Sequence, residues 1–316
     1  MNETNREHHE LDCTIIVVSY NTRDLTLQCL RSVVAETSDV SFEVIVIDNA
    51  STDGSAEAIE NEFPNLTLIK REDNLGFAAA NNVAVELARG EYLLLLNPDT
   101  IVLDGAVQKL MAFARSTPKA GIWGGKTLFA DRTLNPHSVA ARMTLRSLLC
   151  NVTGLRSMFR NSAIFNPEQY GGWKRDSVRE VDIVVGCFLL IKRHTWKRLG
   201  GFDPAFFMYG EEADLCLRAR RLGCQPIMTP EAAIVHYGGA SEKLREDKVV
   251  RLLRSKTLLI DRHWSRFTAP LGKALLRWSI FARTWTRSVP AFPRSIRERA
   301  SIWKAVWRRR AEWART

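Results

Sequence analysis

The first hundred residues alternate short, continuous apolar runs with segments in which apolar residues recur every three or four positions. The runs predict buried strands at 13–18, within 43–55, at 66–70 and within 91–100, and the periodic segments predict helices at 25–36, 56–62 and 77–90, the last closed by Gly90. Strands joined by crossover helices pair in parallel, and unbroken apolar runs fit strands covered on both faces. The pattern predicts an α/β fold: one Rossmann-like domain with a mostly parallel central sheet flanked by helices.

Polar side chains stand where three of these strands end. The clusters are Ser19 to Asn21, Asp48 with Asn49, and Asn97 to Asp99. In such sheets, ligands bind beyond the carboxyl ends of the strands. Neither a G-x-G-x-x-G nor a Walker A pattern accompanies the clusters, which argues against a dinucleotide dehydrogenase or a P-loop NTPase.

Two of the strand-end acids have both a structural and a functional interpretation. Asp48 could cap the following turn, or accept a hydrogen bond from a nucleotide base stacked near Tyr20. Asp99 could form a turn after Pro98, or bind Mg²⁺ or Mn²⁺ together with substrate phosphates. His236, which ends a later apolar run, could be structural or could complete such a metal site.

Three carboxylates occupy four positions in the segment GEEADLCLR. Asp214 has a predicted partner in Arg218, four residues on, where helix side chains meet. Glu211 could serve only to favour a helix N-terminus. Glu212 has no evident partner and is therefore the candidate general base.

Composition limits the class of protein further. The chain has 316 residues, no apolar run of membrane-spanning length, and an N-terminus without a signal peptide. Its six cysteines form no C-x-x-C pair, which favours a reduced, cytoplasmic protein without a zinc site. Residues 131–176 show no clear period and are expected to form a long excursion, either a functional lid or a disordered loop.

The positive charge is concentrated at the C-terminus. Residues 262–316 contain 14 Lys or Arg against 2 Asp or Glu, and six of the nine tryptophans. Helical spacing of apolar residues in 268–288 and 296–314 predicts two basic amphipathic helices, which would bind an anionic membrane surface or pack on the rest of the chain or on a second subunit. The predicted organisation is a polar tail (1–11), a catalytic domain (12–261) and a basic Trp-rich helical tail (262–316).

The ordered motifs TIIVVSYN, VIVIDNASTDGS, DNLGFAAANN, NPDT, GEEADLCLR and VHYGG resemble those of the family 2 glycosyltransferases of the GT-A fold, in particular the rhamnosyltransferase-like bacterial branch. The resemblance spans about residues 12–240. It implies a divalent metal, Mg²⁺ or Mn²⁺, on Asp99 and His236, and catalytic carboxylates among Glu212, Asp214 and Glu211. The residues expected to contact the nucleotide sugar are Ser19, Tyr20, Asn21, Asp48, Asn49, Asn74, Gly76, Asn97, Asp99 and Gly186.

The resemblance also implies the reaction. Such enzymes invert the anomeric centre of a nucleotide sugar, here dTDP-rhamnose or a UDP sugar, and transfer it to a hydroxyl of a lipid-linked glycan in cell-surface polysaccharide synthesis. The expected location is the inner face of the cell membrane, as a peripheral protein, with a homodimer as one expected assembly. Two rival interpretations are a sugar nucleotidyltransferase and a nucleic-acid-binding protein that uses the basic tail; the second leaves NPDT and GEEADL without a role.

Overall fold

A computed structural model describes residues 11–238, 245–286 and 302–314. The strands are β1 (Leu11–Ser19), β2 (Phe42–Asp48), β3 (Thr67–Lys70), β4 (Gly90–Leu96), β5 (Thr100–Val102), β6 (Ile122–Leu128), β7 (Leu134–Asn135), β8 (Val139–Ala140), β9 (Arg179–Glu180), β10 (Ile183–Val184), β11 (Phe188–Lys192) and β12 (Ile227–His236). The helices are α1 (Arg23–Glu36), α2 (Ser55–Glu62), α3 (Gly76–Glu86), α4 (Ala106–Ser116), α5 (Leu145–Val152), α6 (Leu155–Met158), α7 (Arg193–Leu199), α8 (Glu211–Arg221), α9 (Arg245–His263), α10 (Thr268–Thr286), α11 (302–308) and α12 (Arg310–Trp313).

The central sheet has the strand order β3-β2-β1-β4-β11-β6-β12-β5. Along this order β11 and β5 run opposite to the other strands, which are parallel to one another. The short strands β7 and β9 pair antiparallel with β6 and β12. The predicted α/β fold with a mostly parallel central sheet is confirmed.

The unbroken apolar runs supply two cores, one on each face of the sheet. In β1, Cys13, Ile15 and Val17 enter the core beneath α1 and α4. Ile16 and Val18 enter the opposite core, which contains α3 and α8. A strand buried on both faces has no polar alternation, which explains why the continuous runs were a reliable signal.

Gly90 does not close a helix, so that prediction was wrong. Helix α3 ends at Glu86, and Gly90 is the first residue of β4. A Cβ at Gly90 would lie 2.4 Å from the backbone nitrogen of Thr14 on β1. The glycine is needed because two strands approach closely, not because a helix ends there.

Residues 131–176 fold into short elements that pack beside the sheet. They include β7, β8, α5 and α6, and β8 pairs with β10 in a separate two-stranded sheet. The buried Arg175 guanidinium fixes the end of this segment, since it donates to the backbone oxygens of Trp173, Pro136 and Gln169 at 2.8–2.9 Å.

The C-terminal helices form a third core with the rest of the chain. Leu148 of α5 and Val250 and Leu253 of α9 pack with Leu276 of α10 and Trp313 of α12. The predicted boundary between the catalytic domain and the tail, at residue 261, falls inside the continuous helix α9. Two predicted segments lie outside the described residues: the N-terminal tail, of which only Leu11 is described, and residues 287–301 of the C-terminal tail. No helix among the residues that the structure describes is both long and apolar enough to cross a bilayer.

Candidate active site

A cavity of about 450 Å³ opens at the carboxyl ends of β1, β2 and β4. Helix α8 contributes its first turn to the wall, and the end of β12 and the segment before β11 complete it. The predicted residues that line the cavity are Tyr20, Asn49, Asn74, Asn97, Asp99, Gly186, Glu211, Glu212 and His236. The fold thus brings together residues that are more than 200 positions apart in the chain.

Asp99 and His236 meet because β5 and β12 pair antiparallel, with His236 opposite Thr100. The Nε2 atom of His236 lies 3.3 Å from Oδ1 of Asp99 and 3.3 Å from Nδ2 of Asn97. Burial lowers the pKa of His236, but the neighbouring Cys187 and Asp99 outweigh it and raise that pKa to about 10. Burial opposes ionisation of Asp99, but His236 outweighs it and holds the pKa of Asp99 below its usual value.

This pair fits a divalent cation that takes most of its ligands from elsewhere. A carboxylate oxygen and an imidazole nitrogen are both ligands of Mn²⁺, and Mg²⁺ commonly uses one carboxylate together with substrate phosphates and water. Within the described ranges, no cluster of three or more His, Cys, Asp or Glu side chains could hold a metal without such help.

Glu211 and Glu212 begin α8 and face the same cavity. Burial raises the pKa of Glu211 well above its usual value, and the neighbouring Glu212 adds to the effect. Burial also raises the pKa of Glu212, although the amide of Gly210, which donates to Oε2 at 3.1 Å, partly offsets it. A carboxylate with a raised pKa is a better proton acceptor near neutral pH.

Asp214 is directed away from the cavity into a buried ion-pair network. Nε of Arg218 donates to Oδ2 at 2.7 Å, which confirms the predicted pair. Nε2 of His263 lies 2.7 Å from Oδ1. Burial opposes ionisation of Asp214, but these two partners outweigh it and hold its pKa below the usual value. These contacts join Asp214 to Arg218 on its own helix and to His263 on α9.

Three other predicted residues stand behind the cavity lining. Ser19 is fully buried, with its hydroxyl 3.0 Å from that of Thr26. Oδ1 of Asn21 accepts from the amide of Thr52 at 2.8 Å and so joins the loops after β1 and β2. Gly76 has φ +76°, and a Cβ there would collide with the backbone oxygen of Phe207. These three residues shape the loops around the site.

Asp48 makes the predicted turn contact, and its contact with a nucleotide base stays a prediction. Its Oδ2 accepts from the amide of Ser51 at 3.1 Å, as a turn-forming carboxylate does. Its Oδ1 is buried and has no hydrogen-bond partner in the part of the chain that the structure describes. A buried acceptor without a partner is costly, and Asp48 lies behind the residues that line the cavity rather than among them.

Asn49, Asn74 and Gly186 set the width of the cavity. Nδ2 of Asn49 donates to Oδ1 of Asn74 at 2.9 Å, which holds the loop before α3 against the end of β2. A Cβ on Gly186 would lie 3.3 Å from the ring of Phe77 and 3.8 Å from Cβ of Glu212. A side chain at Gly186 would therefore crowd the ring of Phe77 and would be in ordinary contact with Glu212.

Sequence reasoning missed several lining residues, of which Lys248 is the most important chemically. Lys248 lies on α9, and its Nζ is 5.6 Å from the ring centroid of Tyr209, another lining residue. His137 also lines the cavity, and burial and the charges of Arg156 and Arg175 lower its pKa. Neither residue follows a predicted strand end or lies in an acidic motif, so only the tertiary fold could reveal its place in the site.

The fold and the site together define a GT-A glycosyltransferase. The family model "Glycosyl transferase family 2" matches residues 14–194, and the chain belongs to that family, as the motifs predicted. It is 26% identical over 279 residues to the N-acetylglucosaminyl-diphospho-decaprenol L-rhamnosyltransferase of Mycobacterium tuberculosis, covering 82% of this chain and 87% of that relative. It is 26% identical over 274 residues to the rhamnosyltransferase WbbL of Escherichia coli, covering 81% and 97%.

A solved structure shows the same fold. The mannosyltransferase PcManGT from Pyrobaculum calidifontis, determined with GDP-Man and Mn²⁺, superposes with a TM-score of 0.59 at 17% identity, covering 97% of this chain and 88% of that one. Both predictions are confirmed: the chain has the GT-A fold, and it is a rhamnosyltransferase-like member of the family.

Replacing Glu211 by Gln is expected to stabilise the protein increasingly as the pH rises. The folded-state pKa of Glu211 lies above its ordinary value of 4.5, so folded Glu211 holds its proton more tightly than the unfolded chain does. Stability is therefore lost as the pH rises from 4.5 through the folded pKa, and Gln removes this loss. Melting temperatures at pH 5.5 and 8.5, beside those of the exposed-residue control Glu57→Gln, measure the effect. A constant difference between wild type and Glu211→Gln would contradict it.

Proposed function

We propose that the chain is an inverting, metal-dependent glycosyltransferase that transfers rhamnose from dTDP-rhamnose to a hydroxyl of a lipid-linked glycan. The observation that carries the proposal is one cavity with the Asp99–His236 pair in its wall together with the first-turn carboxylates of α8. The rhamnosyltransferase relatives support the sugar, and the diphospho-decaprenol named in one of them supports a lipid-linked diphosphate acceptor.

The donor would bind along the strand ends. Asp48 has a free buried acceptor for a base N–H, and Tyr20 supplies a ring near it in the cavity lining. Asp99 and His236 would hold a divalent cation, which offsets the charge of the leaving diphosphate. Lys248 would add a fixed positive charge in the same cavity.

Glu212 would act as the general base. Its carboxylate takes the proton of the acceptor hydroxyl while that oxygen bonds to C1 of the sugar. The bond from C1 to the diphosphate oxygen breaks, and the nucleoside diphosphate leaves with the electron pair. Attack on the face opposite the leaving group inverts the anomeric centre.

Glu212→Gln is expected to lower kcat by roughly 10²-fold or more, as for a lost general base, with unchanged nucleotide affinity. The melting temperature should not fall, because burial also raises the pKa of Glu212 and Gln removes the cost of ionising it. Gln keeps the shape of the side chain but cannot take a proton. A panel of nucleotide sugars, with release of nucleoside diphosphate as the readout, identifies the donor and supplies the assay.

Asp214→Asn is the informative comparison for that variant. It removes a buried charge from Arg218 and His263, which typically costs about 3 kcal/mol or more of stability. We expect a clear fall in melting temperature with this variant. If Glu212→Gln kept near wild-type kcat while Asp214→Asn lost activity at unchanged stability, the base would be Asp214.

The C-terminal helices would also bind an anionic membrane surface. Phe267, Leu271 and Trp278 are 77%, 52% and 56% exposed and follow one another along a single face of α10 and the turn before it. Arg266 and Arg277 flank this stripe. Exposed apolar side chains with basic neighbours are typical of helices at lipid interfaces.

Replacing Leu271 and Trp278 by Ser is expected to abolish flotation with vesicles that contain anionic phosphatidylglycerol. The matched change Val34→Ser, at a position 59% exposed on α1, should leave flotation intact. Equal flotation of wild type and the double variant would assign the exposed stripe to another partner.

A further inference from the structure

A second, larger cavity lies behind the acidic turn of α8. This basic groove has a volume of about 790 Å³ and runs between α5, α8, α9 and the start of α10. It adjoins the candidate active site along two elements. Ile183 lines the groove and Gly186 lines the active-site cavity, while on α8 Ala213 lines the groove and Glu212 the cavity.

The lining of the basic groove combines an apolar floor with a positive rim. Its floor includes Ile183, Leu217, Leu259 and Trp264. Five basic side chains and one acid stand among the lining residues: Arg142, Arg146, Arg220, Arg221, Lys256 and Glu168. The acid lies 3.8 Å from Arg156, so it is already opposed by a cation outside the groove. The groove is therefore suited to a ligand with both an anionic group and a hydrocarbon part.

Three of the five basic side chains have no ion-pair or hydrogen-bond partner among the described residues. Arg220 is paired with Asp182, and Arg221 reaches the backbone oxygen of Arg262. Arg142, Arg146 and Lys256 have no side-chain partner among the residues that the structure describes. Clustered like charges without counter-ions repel one another, so a bound anion would relieve this repulsion.

A buried histidine provides a second, independent sign of a ligand. The His263 side chain is 7% exposed, lines the groove and contacts Asp214 through Nε2. Its Nδ1 is buried and has no hydrogen-bond partner within the described ranges. Buried polar atoms are nearly always satisfied, so this nitrogen in the groove lining is left to exchange a hydrogen bond with a bound ligand.

We propose that the basic groove binds the diphosphate of the lipid-linked acceptor, with the prenyl chain leaving along Trp264 towards the exposed Phe267 and Leu271. The proposal rests on the acceptor class given under the proposed function. The sugar carried by that diphosphate would then reach across α8 to Glu212. Arg142, Arg146 and Lys256 would contact the phosphates, since guanidinium groups bind phosphate oxygens in pairs and lysine acts as a point charge.

The test uses farnesyl diphosphate as the probe, with the full-length protein and EDTA present, so that metal-dependent binding of a diphosphate in the active-site cavity does not contribute. Isothermal titration should give a Kd that rises at least tenfold in Arg142→Ala/Arg146→Ala. Arg254→Ala, an exposed arginine on α9 outside the groove lining, should leave it unchanged. Farnesol and inorganic pyrophosphate should each bind at least tenfold more weakly than the probe.

The outcomes separate this site from the proposed reaction. Nucleoside diphosphate binding with Mn²⁺ should be the same in wild type and in Arg142→Ala/Arg146→Ala, and melting temperatures should agree because both arginines are exposed. Unchanged affinity for farnesyl diphosphate in the double variant, or equally tight binding of pyrophosphate, would overturn the acceptor site. Failure of the proposed reaction would instead show as no transfer from any donor while farnesyl diphosphate still bound.

Discussion

The buried carboxylate of Asp214 fixes the helix on which the whole site depends. It accepts from Arg218 and contacts His263, and Arg218 also donates to the backbone oxygens of Leu199 and Gly201 at 2.6 and 2.8 Å. One charge therefore ties α8 to the end of α7 and to α9. A buried charge is tolerated only when such partners surround it.

The position of α8 then determines what each of its faces presents. One face of the helix directs Glu211 and Glu212 into the active-site cavity, and another directs Ala213 and Leu217 into the basic groove. His263 connects the two, because it bonds to Asp214 and lines the groove. The proposed acceptor site and the proposed base are thus positioned by the same network.

Much of the fold could be predicted because its sheet is buried on both faces, which leaves unbroken apolar runs such as 13–18 in the sequence. Polar residues at the strand ends marked the cavity, because they interrupt the apolar runs at the edge of the sheet where ligands bind. Gly90 was misjudged since a glycine that ends a helix and one that permits close strand contact look alike in sequence. Lys248, His263 and the basic groove could not be predicted, because only tertiary packing brings α5, α8 and α9 together.

In the C-terminal tail, charge and aromatic content likewise did not reveal which side chains are buried by tertiary packing. Its tryptophans were predicted to bind a membrane surface or to pack on the rest of the chain; Trp313 is fully buried in a core shared with α5 and α9, whereas Trp278 is exposed. Helical spacing identifies an apolar face but not what covers it. The exposed part of that face begins at Phe267, beside the basic groove, so the proposed lipid-linked acceptor would have a continuous path from a membrane surface to α8.

The most direct test of the account is the anomeric configuration of the product, measured by NMR after incubation with dTDP-rhamnose, a divalent cation and a prenyl-diphosphate-linked N-acetylglucosamine acceptor. The account predicts release of dTDP and a rhamnosyl product whose anomeric centre is opposite to that of the donor. A product with the donor's configuration, or release of pyrophosphate in place of dTDP, would contradict it.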